Sequence, residues 1–229
     1  MENSSSENPY FTRLKNMEKT REWLLEQRGR KAVEALKRNA FDALYVSGLE
    51  AARTEILNRI PKGAKIGVGG SMTIRQIGLL PILERQGNLV YDHWKPGLSE
   101  EDVLKMRKAH LTCDVFLTST NAVTLEGTLV STDGIGNRVG AMTFGPGKVI
   151  VVAGVNKVVN DRESAFRRIR EVATPQVVRD MSLELPCAVT GFCVDCNSPM
   201  RACRVTVILE RKPFLSDIHV LIVGDDLGF

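Results

Sequence analysis

Lys65-Ile-Gly-Val68-Gly-Gly-Ser71-Met-Thr73-Ile-Arg75-Gln-Ile77-Gly-Leu-Leu80 is the stretch whose reading decides the fold. A short run of buried-strand length meets two glycines, after which Ile74, Ile77 and Leu80 recur on one face at helical spacing. A strand that turns directly into a helix can bind an anion. Glycines let backbone amides approach a ligand, and the helix start carries positive partial charge. Ser71 and Thr73 add hydroxyl donors and Arg75 a charge. The alternative is a tight turn with Ser71 as N-cap. The stretch lacks the lysine of a Walker loop and the full glycine spacing of a dinucleotide fingerprint.

The same texture continues downstream. Residues 88–91, 115–118, 149–153, 204–209 and 218–223 are apolar runs of strand length, and helices are expected at about 72–84, 99–111 and 161–173. The second helix opens at Ser99 with Glu100, Glu101 and Asp102 opposing its dipole. The third buries Ala165, Phe166 and Ile169 and is expected to end before Pro175. Alternating strands and helices predict an α/β fold with a mainly parallel sheet flanked by helices, over residues 61–229. Upstream, residues 1–10 read as a disordered lead. Residues 11–60 read as a helical segment: amphipathic from about Phe11 to Arg38, packed as a lid on the core, with a further helix at about 49–59 that stops before Pro61.

A length of 229 residues suits one domain or a domain with an appendage, and a hydrophobic share of 43% with 25% charged residues is that of a soluble globular chain. The net charge of +4 is dispersed among acidic residues, which argues against nucleic acid as a partner. The start lacks the pattern of a secretory signal and no run is long enough to span a bilayer, so the expected compartment is the cytoplasm. There, reducing conditions disfavour structural disulfides, and clustered cysteines point to metal or redox chemistry.

Four of the five cysteines form such a cluster, Cys187-x5-Cys193-x2-Cys196-x6-Cys203. Four thiolates could complete a tetrahedral zinc site or anchor a four-iron cluster, although neither the usual zinc-finger spacing nor the ferredoxin run is reproduced; the alternative is four reduced cysteines packed without metal. Gly191, Pro199 and the lack of periodicity suggest a loop that needs a metal or dense packing to stay ordered. Arg201 and Arg204 could offset thiolate charge. Cys113, in an apolar run, reads as a buried small hydrophobe.

Two polar segments follow strands. From Thr118 to Arg138, Glu126 and Asp133 each flank a glycine and are the carboxylates to test for proton transfer or nucleophilic attack. Their alternative is turn-forming residues of a hairpin. Lys157, in Gly154-Val-Asn-Lys157 after a strand, could neutralise an anionic substrate, the alternative being a solvated surface lysine. His93 follows a strand and is the best of three histidines for acid-base work, against a bland reading as a hydrogen-bonded loop residue.

The segments Gly67-Val-Gly-Gly-Ser71, Asn121-Ala-Val-Thr124, Glu126-Gly-Thr-Leu129, Asp133-Gly-Ile-Gly-Asn-Arg138, Phe144-Gly-Pro146, Gly154-Val-Asn-Lys157 and Leu227-Gly-Phe229 together resemble the lactate-utilisation (LUD) domain family of the LutC/YkgG type, over about residues 12–229. The resemblance implies a Rossmann-like fold similar to the sugar-isomerase and coenzyme-A-transferase superfamily. It also implies a link to lactate oxidation through a multi-subunit iron-sulfur system, which favours an iron-sulfur cluster over zinc. By position it implies a pocket of Gly69, Gly70, Ser71, Asn121, Glu126, Asp133, Asn137 and Lys157 for a small anionic organic acid or a phosphorylated ligand, with other lactate-utilisation subunits as partners. Leu125 stands where the family often has an acidic residue, leaving Glu126 as the local carboxylate. Two other expectations stay open. One is a non-redox isomerase, lyase or transferase using Glu126 or Asp133, with structural zinc. The other is a non-catalytic subunit that docks larger partners through its N-terminal helices and metal loop.

Overall fold

The computed structural model describes residues 9–229. The expected lead falls largely on residues 1–8, outside the described part, and the first helix already includes Pro9 and Tyr10.

In chain order the helices are α1 (Pro9–Arg38), α2 (Leu49–Asn58), α3 (Met72–Ile77), α4 (Leu80–Arg85), α5 (Glu100–Ala109), α6 (Asn137–Thr143), α7 (Arg162–Arg168), α8 (Thr174–Asp180) and α9 (Pro186–Thr190). The strands are β1 (Asp42–Val46), β2 (Lys65–Val68), β3 (Leu89–Asp92), β4 (Val115–Thr118), β5 (Ala122–Thr124), β6 (Leu129–Asp133), β7 (Lys148–Gly154), β8 (Val158–Val159), β9 (Val205–Leu209) and β10 (Ile218–Val223).

Six strands form a wholly parallel sheet in the order β1-β10-β7-β4-β2-β3. Both faces are covered, which is why its strands read as continuous apolar runs. On β4, Phe116 packs into one core with α1 and α6, while Val115 and Leu117 point into the other with α2, α3 and α4. Gly67 faces Phe116, and a Cβ there would lie 2.9 Å from the Cys113 sulfur. Burial drives the Cys113 thiol up to about 11, so it sits in the core as an inert hydrophobe, as its setting predicts.

Several sequence expectations need correction. The segment 11–60 is not helical throughout, because β1 pairs with β10 at the sheet edge. The helix expected at 72–84 breaks at Gly78, whose left-handed φ of +72° ends α3 before α4 begins. The helix expected to stop before Pro175 instead runs on through a π turn at Ile169–Ala173 into α8, where Pro175 occupies the tolerated first turn. Residues 205–209 do not join the main sheet. They pair antiparallel with β6 in a second sheet of order β8-β5-β6-β9.

That second sheet contains a β5–β6 hairpin over much of the central polar segment. At its turn Gly127 adopts φ +81°, and a Cβ there would lie 2.4 Å from the Ala35 carbonyl carbon of α1. Only part of α1 acts as the expected lid: Ala32, Val33, Ala35 and Leu36 are buried, whereas Met17, Trp23 and Leu24 are exposed. Gly127→Ala is expected to destabilise by about 1–3 kcal/mol from the backbone conformation alone, more with the clash, read as a lower denaturation midpoint at unchanged m.

Candidate functional site

After β2 the chain moves outward to β3, then returns to the other side of β2 as β4. Loops diverge at the carboxyl ends of β2 and β4, and ligands of open α/β sheets sit at such a switch point. A cavity of about 420 Å³ opens there, lined by Gly70, Ser71 and Thr73 after β2 and by Ser119, Thr120 and Asn121 after β4. Ser71 caps α3, accepting from the Ile74 amide at 3.4 Å. Gly70 is required by close approach: a Cβ would lie 2.9 Å from the Trp94 ring. Gly69 packs beneath the wall instead, against the Thr118 hydroxyl and Phe116.

Lys157 lines this cavity from a short 3₁₀ turn at Val155–Lys157 and is only 4% exposed. Its Nζ donates to Thr73 Oγ1 (2.8 Å) and Ser119 Oγ (3.0 Å), and among the described residues it has no carboxylate partner. Burial, then the neighbouring Arg168 and Arg138 guanidiniums, lower its pKa to about 7. Arg168 is buried nearby and donates to the carbonyls of Asn121 (2.6 Å), Asn156 (3.0 Å) and Phe229 (3.3 Å). Its pKa falls to about 10 through desolvation. Asp226 is the carboxylate that acts on Arg168 and Asp133 pairs with Arg138, whereas the Lys157 ammonium is held by hydroxyls alone.

The two acidic candidates part company. Asp133 lies on the cavity wall, but its Oδ1 holds Arg138 Nη2 at 2.7 Å while its Oδ2 accepts from the Arg138 and Val139 amides at 3.0 Å. It therefore caps α6 and fixes Arg138, whose guanidinium also donates to Ser119 O, Asn121 Oδ1 and Thr132 O. Asn121 and Asn137 line the cavity. Glu126 does not: it is exposed at the hairpin turn, where its carbonyl accepts from the Asn39 side chain. Asp133→Ala is expected to cost about 3–5 kcal/mol by leaving a buried guanidinium unpaired, measurable by urea denaturation.

His93 also lines the cavity, with its Nδ1 buried and unpartnered. Burial, with His110 and Arg107 nearby, pushes its pKa down to about 4, so it is neutral near pH 7. Its ring centroid is 5.4 Å from that of His110.

The cysteine segment is the neighbouring structure. Cys187 sits on α9, which Gly191 ends in a left-handed conformation. All four cysteines, with Arg170 and Arg201, line one small cavity of about 20 Å³. Arg201 clamps the loop: it donates to the carbonyls of Cys196 (2.7 Å) and Cys203 (2.9 Å) and pairs with Asp195 (2.7 Å). Val178, Leu185 and Ala188 form a satellite core beneath it, packed by Cys187, Cys196 and Ala202. Burial, followed by the other three thiols, raises the Cys187 pKa. Among the described residues no three His, Cys, Asp or Glu side chains are grouped closely enough to hold a metal ion. Thiolates on a single zinc lie within about 4 Å of one another, whereas those of a four-iron cluster stand farther apart around its inorganic core. Four thiols facing one cavity, with two guanidiniums beside them, are the ligand type such a cluster uses, but a cavity of about 20 Å³ would have to widen to admit its core. Thr174 and Arg201 line both cavities, so the two share a wall.

A family model described as the LUD domain matches residues 29–223. The chain belongs to the LUD domain family. That family is associated with lactate utilisation. No curated protein matches the chain. The crystal structure of a DUF162 family protein from Deinococcus radiodurans is similar at 14% identity and a TM-score of 0.50, covering 89% of this chain and 98% of that one. At that identity the likeness shows the fold alone. It agrees with the expected α/β architecture. Among the described residues no helix is long and apolar enough to cross a membrane.

Ser119, Arg138, Arg168 and the wall from Thr174 to Leu183 were not among the residues expected at the site. Ser119 follows β4 at the switch point, and Arg138 closes the Asp133–Arg138 segment, so both carried a positional signal. Arg168 carried none, being one of four arginines within residues 162–170.

Proposed function

We propose that this LUD-domain protein binds a small anionic organic acid, such as a 2-hydroxy or 2-oxo acid, in the cavity at the switch point. It serves there as a component of an iron-sulfur redox system of organic-acid utilisation. The observation that carries the reading is the shared wall: Arg201 and Thr174 line both the ligand cavity and the four-cysteine cavity. Cys187, Cys193, Cys196 and Cys203 would hold the cluster, which when bound accepts and passes on single electrons.

The chain's own residues do the rest. Lys157 supplies positive charge at the cavity wall, held there by Thr73 and Ser119 and with Arg168 buried nearby, and the ligand's carboxylate completes the balance. Asn121, Asn137 and Ser71 offer orienting hydrogen bonds beside it. Asp133 orients Arg138 through its ion pair, a positioning role rather than that of a nucleophile.

A docking role alongside partner subunits has its own support. Val189, Phe192 and Val194 expose large apolar surface on the cysteine segment, where a partner exchanging electrons must approach.

Titrating wild-type and Lys157→Met proteins with pyruvate tests the anion site. Saturable binding by the first and binding weaker by roughly 30-fold or more by the second is expected, and equal binding by both would contradict it.

A further inference from the structure

Beyond the anion-binding end, the cavity wall is apolar. Val177 comes from α8, Met181 and Leu183 follow it, Met200 comes from the cysteine segment and Ile135 from the loop before α6. Three of these are conspicuously open to solvent: Ile135 is 65% exposed, Met200 62% and Met181 50%. Large apolar side chains gathered in a concave wall and left uncovered gain stability when an apolar group enters. The volume agrees, since about 420 Å³ is the size of cavity that encloses drug-sized ligands. Lactate, with six non-hydrogen atoms, would leave most of that wall wet.

We infer that the ligand is an amphipathic organic acid longer than lactate. Its carboxylate lies at the Lys157, Thr73 and Ser119 end, and an aliphatic or aromatic tail lies against Ile135, Met181 and Met200. The inference rests on the anion-binding reading above and narrows its substrate class. It also gives the cysteine segment a second task, because Met200, Pro199 and Ala202 form part of the surface the tail would touch.

Calorimetric titration with straight-chain 2-hydroxy acids from three to eight carbons, each with its methyl ester as an uncharged control, tests the inference. Affinity is expected to rise about fourfold per added methylene over the first few carbons, the value for burying one CH₂, with the esters binding far more weakly. Met200→Ser and Ile135→Ser alter exposed side chains and are expected to fold. Each should flatten the dependence on chain length, with an unchanged thermal midpoint as the control for folding. If lactate binds as tightly as the longest acid, the tail inference is overturned while the anion site stands. If esters match their acids, or no acid binds at any length, the anion reading falls and this inference with it.

Discussion

Cys193→Ser/Cys196→Ser protein, purified without oxygen, is expected to lose nearly all its iron and acid-labile sulfide together with the broad visible absorption of thiolate-bound iron. A four-iron cluster needs its thiolate ligands, and serine in place of two of them leaves half the set. The fold should survive the change. Cys193 is exposed and Cys196 half-buried, and the clamp from Arg201 is to the Cys196 and Cys203 carbonyls rather than to sulfur. Far-ultraviolet circular dichroism should therefore be unchanged, while protease sensitivity within residues 187–203 rises. Cys113→Ser is the matched control and should keep its iron, since Cys113 lies in the main core with its thiol donating to the His110 and Val115 carbonyls. Loading should also depend on pH. The raised Cys187 pKa means that binding must displace a proton, so cluster occupancy weakens as pH falls.

Lys157→Met carries the other large effect. Met keeps the aliphatic bulk and removes the ammonium, so the loss reports charge rather than packing. Removing one member of a buried charge pair typically costs 2–5 kcal/mol, or roughly 30-fold or more in affinity for an organic acid. Wild-type binding should weaken as pH rises above neutrality, because the anion holds protonated an amine whose pKa in the free protein is about 7. Stability moves the other way. The folded-state pKa lies below the ordinary 10.5, so between about pH 7 and 10 the unfolded chain binds more protons than the folded one. Stability of the ligand-free wild type therefore rises with pH across that window. Lys157→Met lacks this slope and should be more stable than wild type at pH 7, by an amount on the order of a few kcal/mol. A chemical-denaturation series from pH 6.5 to 10 separates the two proteins.

The main sheet was legible where burial on both faces imposes unbroken apolar runs, as in β2, β4, β7 and β10. β1 was not, because Asp42-Ala-Leu-Tyr-Val46 is an edge strand inside a charged, helix-rich region. The β5–β6 hairpin was legible only as the alternative reading of Glu126-Gly127 as a turn, since Ala122-Val-Thr124 is only three residues long and lies within a polar stretch. Lys157 could be found from its place after a strand, whereas its lack of a counter-ion needed the packing of Arg168 and Arg138 around it. Asp133 and Glu126 looked equivalent in sequence, each beside a glycine. Long-range geometry separates them: one caps α6 at the cavity, and the other sits exposed at the hairpin turn next to Asn39. The cysteine spacing declared a cluster of thiols, but that their loop walls the ligand cavity follows from how α8 and α9 pack together.

What the four cysteines hold decides whether this protein takes part in redox chemistry. Anaerobic purification of the full chain, with iron, zinc and sulfide measured alongside the visible spectrum, is predicted to give about four iron and four sulfide per chain and a brown, charge-transfer-absorbing protein. Stoichiometric zinc with neither iron nor sulfide, in a colourless protein, would contradict it.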